Sequence, residues 1–80
     1  MEENSSSILV VDDNPEIREI IQVLIGGEGY LVETAENGVK ALEMLKNREY
    51  DLIILDIMMP GMDGYQTCRK MREESNAPIL

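Results

Sequence analysis

Residues 8–13 read Ile8-Leu9-Val10-Val11-Asp12-Asp13, and residues 51–56 read Asp51-Leu52-Ile53-Ile54-Leu55-Asp56. Each is a short apolar run closed by aspartate. A run that is apolar on both faces belongs to a strand covered from both sides, as in a parallel sheet that carries helices on each face. After the first run, Asn14 can cap a helix and Pro15 suits its first turn. Ile17, Ile20, Ile21, Leu24 and Ile25 then recur at i, i+3, i+4, i+7 and i+8, which predicts one continuous packed stripe. Gly26-Gly27 stops that helix, and the glycines around Glu28 turn the chain. Leu31–Ala35 reads as a second strand. Asn37-Gly38 opens a second helix whose expected core face is Val39, Leu42 and Leu45, with Ala41 beside it.

Beyond the second run, residues 57–64 hold Pro60, Gly61 and Gly64, too many breakers for a helix. Asp63 is placed to cap a third helix running to about Glu74, with Tyr65, Cys68 and Met71 turned inward. Residues 75–77 connect it to Pro78-Ile79-Leu80, which looks like the start of a fourth strand. Residues 1–7 are polar, lack periodicity and read as a solvated tail. The order is β-α-β-α-β-α-β, an α/β pattern whose right-handed crossovers put helices on both faces of a parallel sheet.

Eighty residues suffice for one small domain. Sixteen acidic against seven basic residues give a net charge of −9. Such a surface repels phosphate backbones, which argues against direct contact with DNA, RNA or an anionic membrane and favours cations and basic partner surfaces. Cys68 is the one cysteine and there is no histidine, so neither an internal disulfide nor a zinc site is encoded. The apolar runs are too short to span a bilayer. The start, Met-Glu-Glu-Asn, lacks the features of a signal peptide, so a cytoplasmic location is expected.

Ligands of open α/β sheets bind beyond the carboxyl ends of the strands. Asp12 and Asp13 follow the first strand and Asp56 follows the third. If those strands are neighbours, the three side chains share one crevice, where their mutual repulsion calls for a cation. Magnesium suits the role, because it takes few carboxylates and keeps waters that substrate oxygens can replace. Asp56, alone on its strand end, is the better nucleophile toward a phosphoryl group, and the Asp12-Asp13 pair is better suited to hold the metal. Most aspartates at strand ends are merely solvated turn residues. Two strand ends together with their loop are a far more specific signal than an isolated Asp-Asp.

Residues 8–13, together with residues 51–64 and their Ile57-Met58-Met59-Pro60-Gly61-Met62-Asp63-Gly64 loop, resemble the response-regulator receiver domain of two-component signalling. The resemblance covers essentially all of residues 8–80. It implies a flavodoxin-like doubly wound parallel sheet with strand order 2-1-3 and a stub of a fourth strand, the first strand being central as the most uniformly apolar. It also implies a phosphoryl group taken from a phosphohistidine on a sensor histidine kinase and held as an aspartyl phosphate with Mg2+. Asp56 corresponds to the phosphoacceptor, Asp12 and Asp13 to the acidic pair that positions the metal, and the Met58 backbone carbonyl to a further metal ligand. Such a domain accepts a phosphoryl group and is not a turnover enzyme. The Ser or Thr and the Lys with which receivers bind the phosphoryl oxygens fall beyond residue 80, and Lys40, Lys46 and Lys70 do not match that Lys. Residues 8–80 are therefore expected to be the N-terminal portion of a receiver, with weak metal binding, little switching and an output domain or partner further on. The acidic receiver with this loop is similar to those joined to DNA-binding transcription regulators.

A second family fits in part. Haloacid-dehalogenase-type phosphatases also use a strand-end Asp with magnesium, but they carry a second Asp two residues on, where this chain has Met58. A third possibility is an acidic α/β fragment that only mediates interactions. Other features have simpler roles. The three glycines around Glu28 follow a helix, the reverse of a phosphate-binding loop. Met58, Met59 and Met62 suit a flexible loop half packed on the core. Cys68 reads as a core thiol, and Glu73-Glu74 as a solvated helix end.

A third strand touched only by residues 78–80 offers unpaired backbone groups to another chain. Each uncovered Ile or Leu forfeits roughly 1.5–3 kcal/mol of burial, against a whole margin of about 5–15 kcal/mol. Something is therefore expected to cover that edge: a second copy in an edge-paired oligomer, a swapped segment, or the rest of the protein. Sedimentation at dilute concentration checks this, and a folded, cooperatively melting monomer would contradict it.

Overall fold

The computed structural model describes residues 6–56 and 64–79. Strands and helices alternate: β1 (Ser7–Val11), α1 (Pro15–Gly26), β2 (Leu31–Ala35), α2 (Gly38–Asn47), β3 (Leu52–Leu55) and α3 (Gly64–Glu74). The strands form one parallel sheet in the order β2-β1-β3. This is the doubly wound α/β arrangement expected from the sequence. β1 is central because Ile8, Leu9, Val10 and Val11 are all buried, a demand only a strand flanked and covered on both faces can meet. The expected stub of a fourth strand is present as a parallel bridge between Ile79 and Ile53. Ile53 N–H donates to the Pro78 carbonyl at 2.8 Å.

Alternation along β1 divides the interior. Leu9 and Val11 join Ala35, Ala41, Leu45, Tyr50, Ile53, Leu55, Met71 and Ala77 in one apolar cluster, with Cys68 packed at its margin. That cluster lies between the sheet and the pair α2 and α3. Met71 is fully buried, as its place on the third helix predicts, whereas the Tyr65 side chain and residues 57–63, Asp63 among them, lie outside the described residues. Ile8 and Val10 point to the other face, toward α1.

Three expectations need correction. Residues 1–7 read as a solvated tail, yet Ser7 opens β1 and the Ser6 carbonyl accepts from the Leu31 N–H at 2.9 Å. The five-residue stripe of α1 is not a packed face, since no residue of the helix is buried. Ile21 and Ile25 are half-buried, while Ile17, Ile20 and Leu24 are 39%, 53% and 66% exposed. Among the described elements the helix packs mainly on β1 and β2, and that narrow support seats only one edge of so wide a stripe. On α2, Val39 is 71% exposed, and the buried residues are Gly38, Ala41 and Leu45, with Leu42 half-buried. Gly38, Ala41 and Leu45 recur at i, i+3 and i+7 and so mark the inward line of the helix. Val39, about 100° further round the helix than Gly38, is carried off that line.

At the α1 end, the chain stops and turns as its glycines predict. Gly27 caps the helix in a right-handed conformation. The left-handed residue is Gly29, with φ of 97°, a conformation open to glycine at no steric cost.

One polar contact set was not foreseen. Glu33, in the middle of β2, accepts from the Tyr50 hydroxyl at 2.5 Å and pairs with Arg48. The Arg48 guanidinium also lies 5.5 Å from the centre of the Tyr50 ring. The ion pair is largely open to solvent and contributes little by itself, but the phenol ties β2 to the segment leading into β3. Burial pushes the Tyr50 hydroxyl above its ordinary value of 10.0, with the Arg48 charge pulling the other way. The folded state therefore holds this proton more tightly than the unfolded chain. Its stabilisation is present in full below pH 10 and is lost as pH rises through the folded value. Tyr50→Phe is expected to cost about 1 kcal/mol at neutral pH and to flatten the alkaline fall in melting temperature. Thermal melts of both proteins from pH 8 to pH 11 provide the check.

Candidate metal and phosphoacceptor site

The parallel register decides what meets at the carboxyl end of the sheet. Val11 is opposite Leu55 on one side and Ala35 on the other. Each ladder runs one bond past these pairs: Asp12 N–H donates to the Ala35 carbonyl at 3.1 Å, and Asp56 N–H to the Val11 carbonyl at 3.0 Å. Asp12 and Asp56 are thereby fixed side by side at the ends of adjacent strands, and Asp13 follows on the turn into α1.

Carboxylate oxygens of Asp12, Asp13 and Asp56 all lie within 4.8 Å of one another. Asp12 and Asp56 are half-buried and Asp13 is exposed. At about 4 Å, two like unit charges repel by roughly 1 kcal/mol in water and roughly 4 kcal/mol at an effective dielectric near 20. A cation among them removes that penalty. The donor set consists of hard oxygens, which suits magnesium or calcium rather than a thiophilic metal. Thus the three aspartates singled out in the sequence are brought together. The fourth expected donor, the Met58 carbonyl, lies outside the described residues.

The turn between β1 and α1 is locally encoded. Asp12 Oδ1 accepts from the Asn14 N–H at 2.9 Å. The Asn14 side chain in turn caps α1, accepting from the Glu16 N–H at 2.8 Å and the Ile17 N–H at 3.4 Å. Pro15 gives up no hydrogen bond at the first helical position. Arg18 donates from Nη1 to the Asp12 carbonyl at 2.7 Å. The cap was legible in the sequence, but the part played by Arg18 was not. Its one available signal is a cation in the first turn of a helix, where the helix dipole disfavours positive charge.

An alternating β/α chain with its strands in this order, and an acidic triad across its two neighbouring strand ends, defines a class rather than a single protein. The family model for the response regulator receiver domain matches residues 8–80, and the chain belongs to that family. It is 44% identical over 77 residues to the transcriptional regulatory protein ResD of Bacillus subtilis, covering 96% of this chain and 32% of ResD. It is 48% identical over 73 residues to the probable transcriptional regulator ycf27 of Cyanidium caldarium, covering 91% of this chain and 29% of that protein. This chain therefore spans about a third of the length of these relatives. Among solved structures, the response regulator TrrA of Thermotoga maritima in complex with Mg2+ and BeF is 45% identical, with a TM-score of 0.84 over 92% of this chain and 65% of TrrA. TrrA in complex with the histidine kinase ThkA gives a TM-score of 0.83 over the same shares. The family match gives no support to the phosphatase or to a purely interacting fragment.

Proposed function

We propose that this chain is the phosphoaccepting portion of a response regulator, receiving a phosphoryl group on Asp56 from the phosphohistidine of a sensor histidine kinase. The observation that carries the proposal is the meeting of Asp12, Asp13 and Asp56 within 4.8 Å at the ends of β1 and β3. The TrrA structures support it, one bearing Mg2+ with BeF and the other a bound histidine kinase.

Asp13, Asp56 and the Met58 carbonyl would hold Mg2+, with Asp12 acting through water. The hydrogen bond from Asn14 already occupies one Asp12 oxygen, which suits a carboxylate that orients water better than one that wraps a metal. A bound Mg2+ supplies the positive charge that lets an anionic phosphoryl group approach three carboxylates. An Asp56 oxygen attacks phosphorus in line. The new P–O bond forms as the P–N bond breaks, and the electron pair leaves with the imidazole nitrogen of the donor. Positioning and charge neutralisation account for most of the rate in such a transfer. The product stays on Asp56, so the chain is a stoichiometric acceptor and not a turnover enzyme.

The names of the relatives support transcription regulation as the output, carried by a segment or partner other than these residues. No described helix is long and apolar enough to cross a membrane. A cytoplasmic regulator is the compartment that fits a kinase-fed switch of transcription, and the net charge of −9 leaves direct nucleic-acid contact to another part of the protein.

In the complete receiver, Asp56→Asn is expected to abolish labelling by a phosphorylated kinase or by acetyl phosphate. Asp13→Ala is expected to raise the magnesium concentration needed for labelling before it lowers the maximal extent. Labelling of the Asn variant at an unchanged rate would refute the assignment of Asp56. Rapid release of phosphate from phosphomonoesters would point instead to a phosphatase.

A further inference from the structure

We infer that Arg18 is a positioning residue for the acidic triad, acting through the backbone carbonyl of Asp12. The inference rests on the metal-binding reading above and extends it to a residue that touches neither metal nor phosphoryl group. Arg18 Nη1 donates to that carbonyl at 2.7 Å in a half-buried setting. The carbonyl lies just past the last ladder bond, since the Val11 carbonyl is the one that receives the Asp56 N–H. It belongs to the peptide plane joining Asp12 to Asp13. Fixing its direction fixes the direction in which Asp13 leaves the strand.

Neighbouring bonds make the plane part of a closed unit. Asp12 N–H is held by Ala35 at 3.1 Å, and Asp12 Oδ1 is held by the Asn14 N–H at 2.9 Å. Arg18 N–H donates to the Asn14 carbonyl at 3.1 Å. The same residue thus starts the α1 ladder with its backbone and returns to the strand end with its side chain. Helix stability does not explain an arginine there, because the first turn favours acids, as at Glu16. A structural duty at Asp12 does.

Charge and position make opposite predictions for Arg18. A guanidinium bonded to the Asp12 carbonyl brings positive charge to the strand end, so if Arg18 acted only through its charge, removing it would tighten magnesium binding. If Arg18 orients Asp12 and Asp13, removing it loosens binding despite the lost repulsion. Loss of an outer-shell partner of a metal ligand costs about 10–100-fold in affinity. A contact made through the backbone carbonyl belongs at the low end.

The test is calorimetric titration of Mg2+ into the complete receiver as wild type, Arg18→Met and Arg18→Lys, with thermal melts of each. Met keeps the aliphatic stem and removes the donor; Lys keeps a charge and one donor. The expected result is about tenfold weaker binding for Met with a cooperative melt, and an intermediate loss for Lys. Unchanged or tighter binding in the Met variant, beside a wild type that binds, overturns the role of Arg18 alone. A wild type that binds no magnesium overturns the metal reading and this inference together. If the Met variant does not melt cooperatively, the Lys variant decides: weaker binding than wild type supports the role, and equal or tighter binding overturns it.

Discussion

The pairing of Val11 with Leu55 in the ladder between β1 and β3 is the constraint on which the rest of the molecule depends. Both faces of these strands are apolar, so side-chain alternation by itself leaves the register loosely specified. The aspartates at the strand ends specify it. β3 is four apolar residues between Asp51 and Asp56, and β1 runs into Asp12. Sliding either strand by one residue would draw a carboxylate into the buried ladder, where an unpaired charge is prohibitively unfavourable. The amino end is fastened as well. Ser7 N–H donates to Asp51 Oδ2, and Asp51 N–H donates to the Ser7 carbonyl, both at 2.7 Å.

This register gathers like charges. Repulsion within the triad is of the order of 1 kcal/mol per pair in water. Burying any one of Leu9, Val11, Ile53 or Leu55, all nearly inaccessible, returns roughly 1.5–3 kcal/mol. The core therefore holds the carboxylates together against their own charge. A site assembled in this way is poised to take a cation without rearranging the sheet. The function follows from packing: the residues that set the position of Asp56 are the aliphatic ones behind it.

The strands, their central member and the three aspartates were legible because each depends on local pattern. An apolar run bracketed by acids has one sensible placement in a parallel sheet. Helix facing was less legible. Periodicity groups Ile17, Ile20, Ile21, Leu24 and Ile25 on one side of α1, but it does not say how much of that side the sheet covers, and only the edge bearing Ile21 and Ile25 is seated. Val39 matched the spacing of a core residue, yet the helix turns the line through Gly38, Ala41 and Leu45 inward and leaves Val39 exposed. The side-chain contact between β2 and the approach to β3 was hidden. Glu33 meets Tyr50 across 17 positions, and nothing local marks an acid in the middle of β2 as the partner of a phenol that precedes the next strand. Arg18 was hidden for a different reason: its role lies in a backbone carbonyl, which leaves no trace in residue type beyond a cation misplaced in a first helical turn.

The central claim is that Asp12, Asp13 and Asp56 form one cation site at the joined ends of β1 and β3. The most direct measurement is a magnesium titration followed at the backbone amides by heteronuclear NMR, at constant ionic strength. The expected result is a saturable set of shifts confined to the residues around Asp12, Asp13 and Asp56, absent when a monovalent salt replaces magnesium. Shifts that never saturate, or that spread evenly over the acidic surface from Glu16 to Glu74, would contradict it.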